Sequence, residues 1–222
     1  LLFNLNSAET SIELQKVTQE IAPYLSKYKN DILLNEKLFE RVKFVYLNSD
    51  KSKLTPEEIT LLKKEFNEFV RNGALLTEKK KKKLRVIDEL LAIKTLSYGE
   101  KILDDTNSYF LHVTNEKKLK GLPDSSIIHA ASIAETKNLN GWIFTLDAPS
   151  YIPFITYSEI RSLRKEISEA YGSRGFKENK NNTLPLIEEI INLRHKRSKI
   201  LGFESHAHFI LEERMSLTEK KT

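Results

Sequence analysis

Gly-Trp-Ile-Phe-Thr-Leu-Asp-Ala-Pro-Ser-Tyr-Ile-Pro-Phe-Ile-Thr-Tyr-Ser, residues 141–158, stands out in a sequence that otherwise has the pattern of one helix after another. β-branched and aromatic residues cluster from Trp142 to Leu146, which is typical of a strand. Pro149 and Pro153 lack the N–H that a sheet ladder needs, so we expect a turn and an extended sheet edge after the strand. The stretch predicts a small β element whose edge can accept an extended peptide.

Four aromatic side chains of this stretch are candidates for lining a substrate cleft: Trp142, Phe144, Tyr151 and Phe154. When a peptide adds to a sheet as a further strand, backbone hydrogen bonds supply affinity and side-chain pockets supply preference. The alternative is a hairpin that only closes the core, because large aromatic residues dominate packing. The residues alone leave both interpretations open.

Around this stretch the sequence predicts a mainly α fold, a multi-helix array with a small β element whose strands lie near 109–113 and 142–146. A helix between these strands favours a parallel pair. Thr55-Pro56-Glu57-Glu58 has the pattern of a capping box, and Asn72-Gly73 predicts the end of the same helix. The predicted helices span about 7–28, 31–47, 56–71, 77–105, 124–137, 158–171, 185–201 and 204–214.

Composition limits the classes of function. The chain has 222 residues, 40% of them hydrophobic, and no cysteine, so disulfides and thiolate metal sites are excluded. No run of about twenty apolar residues predicts a membrane span. The net charge of +5 is a mild bias, with one concentrated run at Lys79–Lys83. We interpret that run as a solvated helix surface; the alternative is a site for an acidic partner or nucleic acid.

Five short blocks are spread along the chain: Phe3–Ala8, Leu34–Phe39, Phe69–Ala74, Leu119–Pro123 and Leu201–Ala207. Together they resemble the thimet-oligopeptidase-like zinc metallopeptidases, nearest the bacterial peptidyl-dipeptidase Dcp. They follow one another in that family's order. Ile160 departs from the Asn expected after Tyr-Ser-Glu, and Gly172 interrupts a helix end.

The resemblance implies a zinc enzyme whose chemistry needs H-E-x-x-H, with two histidines one helical turn apart and a glutamate as general base. In this sequence no histidine is followed by glutamate and no two histidines lie four residues apart. We therefore predict that residues 1–222 form one amino-terminal helical region of a longer metallopeptidase, with 107–115 as an alternative internal boundary. No catalytic or metal-binding residue is assigned in it, and by itself it is expected to be inactive.

The resemblance further implies zinc in the parent protein and none held by this region. The expected partners are short peptide substrates and the carboxy-terminal catalytic domain of the same protein, with neither nucleic acid nor membrane. The expected compartment is the cytoplasm, with export to the periplasm as the alternative. The alternative to this enzyme hypothesis is a free-standing helical module that binds protein or nucleic acid without catalysis.

One helical stripe has the residue types of a metal site. Glu204, His208 and Glu212 recur every fourth residue and would share a helix face. Such pairs are common on helix surfaces, and zinc sites usually have more nitrogen or sulfur ligands. We therefore assign the stripe to the surface.

Overall fold

The computed structural model describes residues 1–8 and 10–221, and its fold is mainly α, as the sequence predicts. The two predicted strands form, and over the described residues they make one small sheet. The helices are α1 Leu2–Ala8, α2 Ile12–Leu33, α3 Glu36–Asn48, α4 Pro56–Arg71, α5 Glu78–Ser108, α6 Asp124–Thr136, α7 Ala148–Tyr157, α8 Arg161–Gly172, α9 Leu184–Leu201 and α10 His206–Leu211, and the strands are β1 Phe110–Val113 and β2 Trp142–Thr145.

The chain divides into two compact units. The first, which we call the helical unit, is formed by the described residues of Leu1–Ser97 and Leu186–Thr222. The second, the sheet unit, is Tyr98–Pro185. The alternative boundary predicted near 107–115 lies inside the sheet unit, and the description of 1–222 as one region of a longer protein stays a prediction.

The helical unit is stabilised by local interactions at the helix ends and by a small core that contains aromatic residues. The capping box forms as predicted: the Thr55 hydroxyl accepts from Glu58 N–H, and the Glu58 carboxylate accepts from Thr55 N–H. After α4 the chain passes through Gly73 with φ 101°, a left-handed value that favours glycine. The core is formed by Leu33, Phe39, Phe69 and Ala74, all buried, with Val42, Phe66 and Val70 packed against them.

The sheet unit contains the larger apolar core. The buried residues of this core are Leu111, Val113, Leu119, Leu122, Ala130, Phe144, Leu146, Phe154, Leu163 and Ile167. Seven of them come from the two strands and from α6, α7 and α8, so the sheet packs on helices rather than on a second sheet; Leu119, Leu122 and Leu146 come from the connecting segments. This core fixes the positions of the aromatic residues that the sequence proposes as peptide contacts.

The predicted parallel pairing of the strands is wrong, because β1 and β2 are antiparallel. Val113, the last residue of β1, lies opposite Trp142, the first residue of β2. The connection containing α6 therefore returns to the end of the sheet from which it left. A side chain at Gly141, where φ is 100°, would collide with the carbonyl oxygen of Val113, so a glycine is required where the chain enters β2.

The predicted turn and extended edge after β2 are also wrong, because Ala148–Tyr157 is a helix. Pro149 lies in the first turn, where helix N–H groups have no partner within the helix and proline is therefore tolerated. Pro153 removes one hydrogen bond from the helix interior. Tyr151, Phe154 and Ile155 share the face of α7 that packs on the core, and the burial of this face outweighs that loss.

Two further features concern the hydropathy and the charge of the helices. In the part of the chain that the structure describes, no helix combines the length and the apolar character needed to cross a bilayer. The lysine run lies in the first turns of α5. Lys81 is buried and forms an ion pair with Glu78 at 3.1 Å, whereas the other four lysines are exposed. The run is thus mostly a solvated helix surface, as interpreted from the sequence.

Candidate functional site

The four aromatic candidates lie together in the sheet unit but differ in exposure. Phe144 and Phe154 are 1% and 0% exposed, and their ring centroids are 4.5 Å apart. Trp142 and Tyr151 are half-buried and pack against the same core. Only Trp142 and Tyr151 therefore keep surface that a peptide can touch, while Phe144 and Phe154 support them from below. Contact with a substrate stays a prediction.

Tyr151 is the first member of a stack that sequence reasoning missed. Its ring lies 4.1 Å from the ring of Tyr171 in α8, with 11° between the planes. The guanidinium of Arg174 covers Tyr171 at 3.6 Å, and its Nη1 donates to Thr106 Oγ1 at 3.0 Å. The stack gives the partly exposed Tyr151 a fixed orientation and adds a positive charge beside it. Tyr151 and Tyr171 are twenty residues apart in sequence, and Thr106 lies farther away still, so no local pattern could reveal the stack.

The outer edge of β1 is the part of the sheet with the most exposed side chains. Residues of β1 alternate between exposed and buried, with Phe110 and His112 exposed and Leu111 and Val113 buried. Within the described residues no further strand pairs with β1 or β2. On β2, the N–H of Thr145 donates to Ser150 Oγ at the start of α7. An edge of this kind offers unpaired backbone groups to an extended chain.

Loop 173–183 is anchored beside this stack by a buried carboxylate. Asp105, 2% exposed, accepts from Gly175 N–H at 2.7 Å and from the Asn181 amide at 2.8 Å. Burial raises the pKa of Asp105, but these two hydrogen bonds and the charge on Lys177 lower that pKa by more, so the net direction is downward. The neighbouring Asp104 also accepts from Asn181, which lowers its pKa too. Both carboxylates are therefore ionised at neutral pH and hold the loop.

The zinc ion implied by the resemblance can be tested against the side chains. Across residues 1–8 and 10–221, no group of three or more His, Cys, Asp or Glu side chains could hold a metal ion. In the stripe that we assigned to the surface from the sequence, Glu212 forms an ion pair with Arg71, and Glu204 precedes α10 rather than lying on it. His208 packs its ring on the edge of Phe203. The described residues do not fit a zinc ion.

Known proteins are similar to this chain over almost its whole length. Residues 154–222, which begin inside α7, match the model of Peptidase family M3. The chain is 30% identical over 217 residues to Oligopeptidase A of Salmonella typhimurium and 29% identical over 219 residues to the Dipeptidyl carboxypeptidase of Escherichia coli. The predicted resemblance to this peptidase family is confirmed. The identities do not separate the oligopeptidase from the dipeptidyl carboxypeptidase branch of the M3 peptidases.

Each alignment covers nearly all of this chain but only about a third of the relative. The alignment with Oligopeptidase A covers 96% of this chain but 32% of that relative, and the alignment with the Dipeptidyl carboxypeptidase covers 98% and 32%. A Thimet-like oligopeptidase of Dictyostelium discoideum is 28% identical over 92% of this chain and 30% of its own length. The chain thus spans about a third of the length of the curated M3 relatives that it matches.

Proposed function

We propose that this chain is the amino-terminal, non-catalytic part of a zinc-dependent oligopeptidase or peptidyl-dipeptidase, and that it walls the cleft which admits short peptides. The observation that carries the proposal is the 30% identity to Oligopeptidase A over 96% of the chain. The sequence supports a non-catalytic role, because none of its five histidines belongs to an H-E-x-x-H motif. The zinc and the reacting groups then belong to the catalytic domain of the same protein.

The sheet unit supplies the surface proposed to meet the peptide. The outer edge of β1 has backbone groups to pair with an extended substrate, which gives affinity with little dependence on sequence. Trp142 and Tyr151 supply apolar contacts, and the buried Phe144 and Phe154 keep them in position. Broad acceptance of short peptides follows from this division between backbone pairing and a few aromatic contacts.

The partners and setting follow from the same proposal. They are short peptides and the carboxy-terminal catalytic domain, in the cytoplasm, with neither nucleic acid nor membrane as a partner. Four of the five residues of the lysine run are exposed, so binding to an acidic protein or nucleic acid is the alternative that an experiment has to exclude.

The test is peptide hydrolysis by the full protein that contains this chain. A short blocked peptide is incubated with that protein before and after removal of zinc by a chelator, and after zinc is restored. We expect hydrolysis that the chelator abolishes and zinc restores, and none from residues 1–222 alone. A folded, zinc-loaded full protein that cleaves no short peptide would contradict the proposal and favour the binding-module alternative.

A further inference from the structure

A cleft in the helical unit has a chemical character that peptide binding does not explain. It has a volume of about 700 Å³ and is lined by residues of α2, α4, α5, α9, α10 and the segment after α10. Volumes of about 300–1,000 Å³ are usual for small-molecule sites. Its six cationic side chains are Lys29, Lys64, Arg71, Arg194, Arg197 and Arg214, and its two carboxylates are Glu68 and Glu213.

Two of these arginines are held in place by neighbouring groups. Arg197 forms an ion pair with Asp88 at 2.7 Å, and its Nη2 donates to Asn72 at 3.1 Å. Arg71 pairs with Glu212 and donates to the carbonyl of Phe209 at 2.5 Å. Both guanidinium groups lie near the ring of Phe209, at 4.8 Å for Arg71 and 5.0 Å for Arg197. These contacts form a rigid base for the cleft.

The other four cations have no such compensation. The side chains of Lys29, Lys64, Arg194 and Arg214 have no hydrogen-bond or ion-pair partner among the described residues, and all four are exposed. Of the two carboxylates that line the cleft, Glu68 likewise has no side-chain partner among the described residues. Positive charge therefore exceeds negative charge among the groups that are available to a ligand.

His206 is the second observation that points to an anion. Its Nδ1 is buried and has no hydrogen-bond partner within the part of the chain that the structure describes. Burial lowers the pKa of His206, and the nearby charges of Arg194 and Arg197 lower it further. The imidazole is therefore neutral at pH 7 and lies in a positive field to which the unpaired Arg194 contributes. A bound anion would relieve that field and give Nδ1 a partner.

We propose that this cleft is a binding site for a small anion that bears two or more phosphate groups, with Arg194, Arg214, Lys29 and Lys64 as its direct contacts. Arginine forks match phosphate oxygens in a bidentate way, and a multiply charged ligand uses several cations at once. Arg71 and Arg197 already lie over the ring of Phe209, so the site is expected to recognise charge rather than to stack an aromatic ring. The inference does not depend on the proposed function, because binding is measured without peptide hydrolysis.

The test is calorimetric titration of the full protein with inorganic pyrophosphate at physiological salt. We expect saturable binding with a dissociation constant below ~1 mM, and binding at least ~10-fold weaker in the double variant Arg194→Gln/Arg214→Gln. The matched control is Lys196→Gln/Lys199→Gln, which removes the same charge from two exposed residues of α9, the helix that carries Arg194, but outside this cleft, and which should change the affinity less than ~2-fold. Heat that arises because pyrophosphate chelates a metal would be the same in both variants, so the comparison separates it from binding in the cleft.

Two further arms complete the test. In NMR titrations pyrophosphate should raise the pKa of His206 and leave the imidazole signal of His195 unchanged, and the thermal midpoints of both variants should match the parent. A titration with citrate compares carboxylates with phosphates. Equal loss of affinity in the two variants, no saturable binding of pyrophosphate, or citrate binding more tightly than pyrophosphate would overturn the proposal.

Discussion

The two units of this chain use their residues differently. The sheet unit has ten buried residues in one apolar core, including two phenylalanines that are essentially inaccessible. The helical unit has a four-residue core and a polar cleft with six cationic side chains. We infer that the large core of the sheet unit holds the proposed peptide-binding surface in a fixed position. The helical unit instead keeps charged side chains available to ligands.

The largest effect should come from removing a ring of the sheet-unit core. Phe154→Ala deletes a fully buried side chain that packs at a tilt against Phe144, and we expect it to lower the free energy of unfolding by about 3–5 kcal/mol. Urea denaturation measures this loss of unfolding free energy. The control Ile152→Ala lies on the same helix but is 56% exposed, and it should change stability by less than about 1 kcal/mol. Equal losses in the two variants would remove the distinction between core and surface of α7.

The next effect concerns the buried carboxylate that anchors loop 173–183. Asp105→Asn exchanges a charged acceptor of two hydrogen bonds for an amide, and we expect a loss of about 1–3 kcal/mol at pH 7. The exposed Glu135→Gln on α6 is the control, with no measurable loss. A neutral result for Asp105→Asn would mean that the loop is held by other contacts.

The same residue predicts a pH dependence. Because folding lowers the pKa of Asp105 below its ordinary value of 3.8, its contribution to stability is complete above that value and is lost as pH falls through the folded pKa. The difference in unfolding free energy between the parent protein and Asp105→Asn should therefore shrink between pH 5 and about pH 2. A difference that stays constant over this range would show that the charge contributes nothing.

In the helical unit, the next effect concerns the capping box at the start of α4. Thr55→Ala removes one half of the capping box of α4 and should cost about 1 kcal/mol. Lys63→Ala, an exposed change in the same helix, is the comparison and should be close to neutral. Helix content by circular dichroism and thermal unfolding measure both. A Thr55→Ala variant as stable as the parent would mean that tertiary packing alone fixes the start of α4.

The smallest effect belongs to a surface ion pair. Lys165 and Glu169 lie one turn apart on α8, 3.6 Å from each other, with side chains 74% and 67% exposed. Breaking the pair with Lys165→Ala should change stability by at most about 0.5 kcal/mol, and less at high salt. Thermal unfolding at two salt concentrations checks this. A larger, salt-independent loss would mean that Lys165 has a role in packing.

The sequence predicts those parts of the fold that local chemistry determines. The capping box at Thr55, the glycine stop at Gly73 and both strands are in the structure where the patterns put them. Helix α7 was missed, because two prolines outweigh a helical pattern locally while burial against the core decides in the folded chain. The antiparallel pairing depends on where the α6 connection returns, which is not a local property.

The candidate site was predictable only in part. Composition identifies the aromatic segment, but it does not say that Phe144 and Phe154 are buried while Trp142 and Tyr151 are partly exposed. The Tyr151–Tyr171–Arg174 stack joins residues from α7, α8 and the following loop, and the cationic cleft joins several helices. Contacts of this kind arise from tertiary packing, so no spacing in the sequence indicates them.

The most direct test of the central claim, that this chain positions peptides without taking part in the chemistry, is the steady-state kinetics of Trp142→Ala in the full protein. We predict a KM raised several-fold and a kcat within about twofold of the parent, since uniform binding is lost and the reacting groups are untouched. Ile128→Ala, which removes a 70% exposed apolar side chain from α6 of the same unit, is the control and should leave both KM and kcat unchanged. A kcat reduced by two orders of magnitude at unchanged KM, or no change in either constant, would contradict the account.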